Sequence, residues 1–180
     1  MDTREKPLSR NVIYRGKILN LRVDKVELPG GKKAVREIVE HEPAVAVLPV
    51  AADGRIFLIR QFRYALGEEI LEIPAGIAEK GESPEETARR ELQEEVGFFP
   101  GILEEIGRIY NSPGFSTELL FLFLARDLKP SRLEMDDDEF IEVYPVHRDR
   151  IPSLLAEGKI RDGKTFAALS WFLAFRNQRG

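Results

Sequence analysis

The sequence predicts an α+β protein, a mixed β-sheet sandwiched by helices with a small antiparallel β module ahead of it. Three observations point there. Apolar and polar residues alternate through "ILNLRVDKVEL", Ile18 to Leu28, the period of a half-buried strand. Two strongly apolar segments, "AVAVLPVA" and "RIFLIRQF", flank "ADG", which reads as a hairpin with buried arms. Near the end, "KTFAALSWFLAFRNQ" carries its apolar residues at helical spacing. Strands and helices interleave without regular βαβ spacing, which favours a mixed sheet over a parallel one.

The elements follow in order. After the first alternating strand, "LPGGKK" is a turn leading into a second strand, "AVREIVEH". A break near His41 to Pro43 divides an expected N-terminal strand module, residues 1–42, from the main domain, residues 43–180. "EIPAGIAEKGE" is punctuated by Pro and Gly and reads as a loop. The segments "ILEEIGRIYNS", "TELLFLFLARDL" and "FIEVYPV" read as strands, and "HRDRIPSLLAEG" as a short helix.

Composition narrows the chemistry. The chain has 180 residues, 43% hydrophobic and 32% charged, which suits one folded domain, or one with a small appendage. A formal net charge of −4 gives no general pull toward nucleic acid or anionic membranes. A polyanionic substrate therefore needs local Arg, Lys or metal ions. The absence of cysteine excludes disulfides, thiolate metal sites and cysteine nucleophiles. "MDTREKPLSR" lacks the apolar core of a signal peptide, and "ELLFLFLA" is too short to span a bilayer. The expected location is the cytoplasm.

The most informative stretch is "GIAEKGESPEETARRELQEEVGF", Gly76 to Phe98. Ser83, Pro84 and Glu86 form a helix start, with Ser83 as N-cap and Glu86 closing a capping box. Gly97 supplies the stop, so the helix is expected over Pro84 to Val96. At about 100° per residue, Ala88, Leu92 and Val96 form one apolar stripe. Glu91 and Glu95 lie four apart along its edge. Arg90 and Glu94 are also four apart and can pair. Stacked carboxylates repel, and a charge run most often just solvates a face. Here a punctuated loop brings backbone carbonyls and Glu82 to the helix start. A hard divalent cation taking oxygen ligands would offset the repulsion.

Gly76, Glu82, Arg90-Glu91-Leu92, Glu94-Glu95 and Gly97-Phe98, at this spacing, match the Nudix hydrolase box at every defined position. The chain thus resembles the Nudix family. The resemblance implies an α/β/α sandwich and hydrolysis of a nucleoside diphosphate linked to a further moiety. It also implies that Glu91 and Glu95 are metal ligands, with the carbonyl of Ala75 as a third. Glu94 is a further metal-site acid or the partner orienting Arg90. Glu82 is a metal-site acid in some members and a loop-fixing ion-pair partner in others.

The flanks resemble the ADP-ribose pyrophosphatase branch. "YNSPGFSTE" places Pro113 and Gly114 fifteen and sixteen residues after Phe98, and "YRGKILNLRVDKVELPGG", "VREIVEHEPAVAVLPV" and "LIRQFRYALGEEILEIPAG" extend the likeness over most of the chain. Taken alone, "SPG" is an ordinary turn, the two arginines are surface ion pairs as readily as ligands, and "EMDDDE" is a solvated acidic loop. The resemblance implies more. Arg36 reaches the nucleotide, Arg63 contacts the diphosphate, and Pro113 and Gly114 shape the substrate site. Glu139 is the catalytic base, with Asp137 and Asp138 as the nearest competitors. Two or three Mg²⁺ ions, with Mn²⁺ or Zn²⁺ as alternatives, assist hydrolysis of ADP-ribose to AMP and ribose 5-phosphate. A homodimer formed through the N-terminal strands is implied as well. His41 and His147 fall in neither motif and read as structural or surface residues. Other ADP-sugars or GDP-mannose are the nearest rival substrates. A non-catalytic ADP-ribose sensor is disfavoured by the intact box and by termini neither long nor basic enough for a DNA-binding extension.

Overall fold

Alternation at the start of the chain builds three strands, β1 (Lys6–Arg15), β2 (Leu19–Glu27) and β3 (Lys33–His41). They form an antiparallel sheet in the order β1-β2-β3. Leu28 and Lys32 close the β2–β3 turn, and Gly30 and Gly31 take the positive φ it requires. The computed structural model describes residues 2–135 and 139–175. It falls into two compact units. The first comprises the residues up to Pro43 together with Tyr110–Leu119; the second comprises Ala44–Ile109 and the residues from Leu120 onward. In the first unit, the Val39 N–H donates to the Phe115 carbonyl (2.8 Å) and the Thr117 N–H to the Val39 carbonyl (3.0 Å), tying residues 110–119 to β3. All ten residues of β1 are exposed.

The second unit contains two sheets. One has the order β10-β5-β6, from β5 (Arg55–Arg63), β6 (Glu68–Glu72) and β10 (Ile141–His147). The other has the order β7-β4-β9-β8, from β4 (Ala44–Pro49), β7 (Ala75–Ile77), β8 (Phe98–Tyr110) and β9 (Leu119–Pro130). β4 runs parallel to β9 and antiparallel to β7, so the sheet is mixed. Alternate residues of the central strands feed two cores. Ala46, Leu48, Leu58, Leu122 and Leu124 face the helices α2 (Ile151–Ala156) and α3 (Gly163–Phe175) through Ile151, Leu154, Leu169 and Phe172. Val45, Val47, Phe57, Ile59 and Phe123 face Ala88, Leu92 and Val96. Helices on both sides of the strands make an α/β/α sandwich. This explains why both arms around "ADG" are mostly apolar: they are covered on both faces.

Those arms do not form the expected hairpin. The turn is present, with Gly54 at φ 86° and the Ala51 N–H donating to the Arg55 carbonyl (2.8 Å). After the single bridge Val50–Ile56, β4 and β5 diverge into different sheets. The expected strand module also contains β1, whose bounds the sequence does not mark because its exposed residues give no burial signal. The sequence reading took β7 for loop because Pro74 and Gly76 punctuate it, and it assigned no element to β6.

The helix expected over Pro84–Val96 is α-helical in α1 (Pro84–Glu91) and continues as a π-helical turn, Leu92–Val96. Ser83 and Glu86 form the reciprocal capping box, and Gly97 ends the turn at φ 85°. No helix among the described residues is long and apolar enough to cross a membrane.

Leu92 is fully buried where α1 meets β4, β5 and β9. Leu92→Ala should lower unfolding free energy by about 2 to 5 kcal/mol, measured by denaturant titration monitored by circular dichroism.

Candidate active site

The α1 capping box fixes where the helix begins, and the apolar stripe fixes its rotation. Together they decide which side chains turn toward β7. Those are Glu91 and Glu95, only 6% and 3% exposed. Each is fitted to the strand. The Ala75 N–H donates to Glu95 Oε2 (3.0 Å). Glu91 lies so close to Gly76 that any Cβ there would overlap its carboxylate. Gly76 has no positive φ; space, not backbone conformation, demands glycine at this position.

Arg90 organises the acids beside this pair. Its guanidinium donates to Glu82 Oε1 (2.9 Å), Glu91 Oε1 (2.8 Å), Glu94 Oε2 (2.8 Å) and the Ile77 carbonyl (3.1 Å). Glu82 also accepts from the Glu79 N–H (2.9 Å) and the Thr87 hydroxyl (3.0 Å). The Arg90 hydrogen bonds, reinforced by those two donors, hold the Glu82 carboxyl down at about 2. Thus Glu82 anchors the loop to the helix, and Glu94 pairs with Arg90 as the i, i+4 spacing predicts.

Glu91 and Glu95 behave in the opposite way. Burial pushes the Glu91 carboxyl up to about 7, despite the neighbouring Arg90 charge. Burial and the Glu91 charge push Glu95 well above the ordinary carboxylate range. The half-buried Glu139 adds to the negative field at both, so three of the expected acids converge electrostatically. Asp137 and Asp138 lie outside the described residues.

The donor set fits a hard divalent cation. Two carboxylates that burial keeps from ionising would be relieved by one. Among the described residues no three His, Asp or Glu side chains form a ready-made cage. That suits Mg²⁺, which commonly takes one or two carboxylates and completes its shell with water and substrate phosphates.

Arg63 stands nearby, on β5. Its Nε and Nη2 fork onto the Glu72 carboxylate (2.6 and 2.8 Å), and the Glu95 charge reaches it. Glu72 is itself buried against Lys164 of α3. Sequence reasoning missed Glu72, Lys164 and Thr165. Their signal was a charge inside the apolar run "EILEIP" and a Lys-Thr pair opening an apolar helix. Arg36, Pro113 and Gly114 lie on the first unit. Arg36 donates from Nε to Glu5 Oε2 (3.0 Å). Pro113 and Gly114 sit on an exposed turn closed by the Ser116 N–H donating to the Ser112 carbonyl (2.8 Å).

Residues 40–169, containing all of these acids and Arg63, match the NUDIX domain. The chain belongs to the Nudix family. Residues 5–39 match a nucleoside diphosphate sugar hydrolase N-terminal domain. The chain is 44% identical over 169 residues to an ADP-ribose pyrophosphatase of Bacillus subtilis (strain 168), covering 93% of this chain and 91% of the relative. It is 38% identical, with the same coverage, to a methanol dehydrogenase activator of Bacillus methanolicus. The Nudix fold is shared with a solved ADP compounds hydrolase at a TM-score of 0.88 and 24% identity, covering 98% of this chain and 96% of that one.

The two buried carboxyls make metal-free stability depend on pH in a defined direction. Both hold protons more tightly folded than unfolded. Their contribution is fully present below about pH 4.5 and is lost as pH rises, through about 7 for Glu91. Glu95→Gln, which keeps an oxygen for the Ala75 N–H, should stabilise the metal-free protein at pH 8 by about 0.5 to 2 kcal/mol. Near pH 5 the difference should shrink. Thermal unfolding in chelator at the two pH values measures it.

Proposed function

We propose that this Nudix enzyme hydrolyses the diphosphate of ADP-ribose to AMP and ribose 5-phosphate. The observation that carries the reading is the pair Glu91 and Glu95, buried side by side against β7 with the Glu139 charge converging on both. The similarity to an ADP-ribose pyrophosphatase over nearly the whole chain supports the choice of sugar.

In this reading Glu91 and Glu95 would hold two or three Mg²⁺ ions, with the Ala75 carbonyl as a further ligand. Such ions would neutralise the diphosphate and acidify a water. Glu139 takes the proton from the water that attacks one phosphorus, as the bridging P–O bond breaks. Glu94 and Glu82 act through Arg90, which fixes the loop and orients Glu91. The Arg63 fork meets Glu72 through Nε and Nη2, and its Nη1 would take a phosphate oxygen. Arg36, Pro113 and Gly114 serve the nucleotide end.

Residues 1–42 form a dimerising module and residues 43–180 the catalytic domain. The exposed Leu8, Val12, Ile13 and Tyr14 on β1, an edge strand, would be covered by a second copy. The enzyme would act in the cytoplasm.

Incubation with ADP-ribose and Mg²⁺, with and without chelator, tests the activity. Metal-dependent AMP and ribose 5-phosphate are expected. Intact ADP-ribose with cleavage of another nucleoside diphosphate sugar would reassign the substrate. Tight binding with no cleavage of any would make the protein a sensor. Glu139→Gln should lower kcat about 10²- to 10⁴-fold with KM little changed, and Glu95→Gln should abolish the metal-dependent rate. Ile13→Glu should shift the protein from dimer to monomer in sedimentation; a monomeric wild type would refute the dimer.

A further inference from the structure

The four residues Glu72–Ala75 lead from β6 into β7, and each is tied to another element. The Glu72 carboxylate, 1% exposed, accepts from Arg63 on β5 (Nε 2.6 Å, Nη2 2.8 Å) and from Lys164 Nζ on α3. The Ile73 N–H donates to the Thr165 hydroxyl oxygen (2.8 Å). The Pro74 carbonyl accepts from the Val47 N–H on β4 (2.9 Å). The Ala75 N–H donates to Glu95 (3.0 Å). Lys164 and Thr165 are themselves seated at the start of α3 by Asp162. Lys164 Nζ lies 3.1 Å from Asp162 Oδ1, and the Thr165 N–H and hydroxyl donate to Oδ2 at 2.9 and 2.6 Å.

Burying a lysine against a glutamate removes two charges from water, and an apolar pair of similar volume is often as stable. Stability therefore gives little reason for the cluster, whereas position gives a clear one. Glu72 takes one edge of the Arg63 fork and sets the direction of the other, on a side chain 40% exposed. The backbone that Thr165 holds is the same backbone that holds Glu95. The Glu95 charge reaches Arg63, and the Lys164 charge reaches Glu95, so the cluster and the acid pair are electrostatic neighbours.

We propose that Lys164 and Thr165 are positioning residues. Lys164 locks Glu72 so that Arg63 presents its free edge to the substrate diphosphate. Thr165 locks the 73–75 backbone so that Glu95 keeps its place for the metal. The inference rests on the reading of the site as a metal-dependent diphosphate hydrolase.

The test uses the nucleoside diphosphate sugar that the wild type hydrolyses fastest. Lys164→Met should raise KM about 10-fold while kcat stays within about 3-fold. In an Arg63→Ala background it should raise KM no further, because the group it positions is gone. Should Lys164→Met not fold, Lys164→Arg, which keeps the charge but alters its reach, carries the same KM cycle. Thr165→Val should raise the half-saturating Mg²⁺ concentration and shrink the Mg²⁺-induced rise in Tm, and Thr165→Ser should restore both. Full additivity of the Lys164 and Arg63 effects on KM would overturn the Lys164 role. A lower Tm with unchanged Mg²⁺ dependence in Thr165→Val would overturn the Thr165 role. A wild type that hydrolyses no nucleotide sugar would overturn the functional reading itself, and this inference with it.

Discussion

The second unit is organised around two carboxylates held together out of water. Each charge removed from solvent costs several kcal/mol unless it is compensated, and two placed one helical turn apart repel as well. Around Glu91 and Glu95 the compensation is incomplete. One edge of Arg90 and one backbone N–H serve the pair, and both groups resist ionisation. Such an arrangement persists only if the surrounding structure over-determines it. Here that structure is the capping box, the buried stripe Ala88-Leu92-Val96, the π turn ending at Gly97, and a strand with glycine where the helix presses closest.

The neighbouring charges divide into two classes with different tasks. Glu82, Glu94 and Arg90 are mutually satisfied, and the carboxyl of Glu82 is held far below its ordinary range. These groups are static fasteners that fix a loop to a helix. Glu91 and Glu95 are instead buried acids whose carboxyls hold their protons above the ordinary carboxylate range, with Glu139 adding to the negative field at both. The Arg63–Glu72–Lys164 cluster is intermediate. It is buried and paired on its inner side, and half-exposed at Arg63. A family fold shared at a TM-score of 0.88 with only 24% identity is consistent with a scaffold that tolerates wide substitution while holding a few such geometries.

Much of the site was legible because its signals are local. Capping residues, the i, i+4 spacing of Arg90 with Glu94 and the glycine stop lie within fifteen residues of one another, where helical geometry is fixed by the backbone alone. Local signals misled at the "ADG" turn. A turn dictates reversal of the chain, but whether the arms pair depends on which neighbours compete for their hydrogen bonds. β9 and β7 take β4, while β10 and β6 take β5. The bounds of β1 were not legible for a related reason: an exposed strand has no buried face to mark them.

By itself, the sequence determined the helix and its caps, the pairing of its charged side chains, the apolar strands of the core and the family to which the chain belongs. Each follows from short-range geometry or from a strict spacing of residue types. Tertiary structure decided that the two arms of one turn enter different sheets and that Gly76 is required for space. It also decided that Glu72 and Lys164, ninety-two residues apart, meet beside Glu95. Those contacts join segments brought together only by packing, and no local pattern encodes the partner of a buried charge.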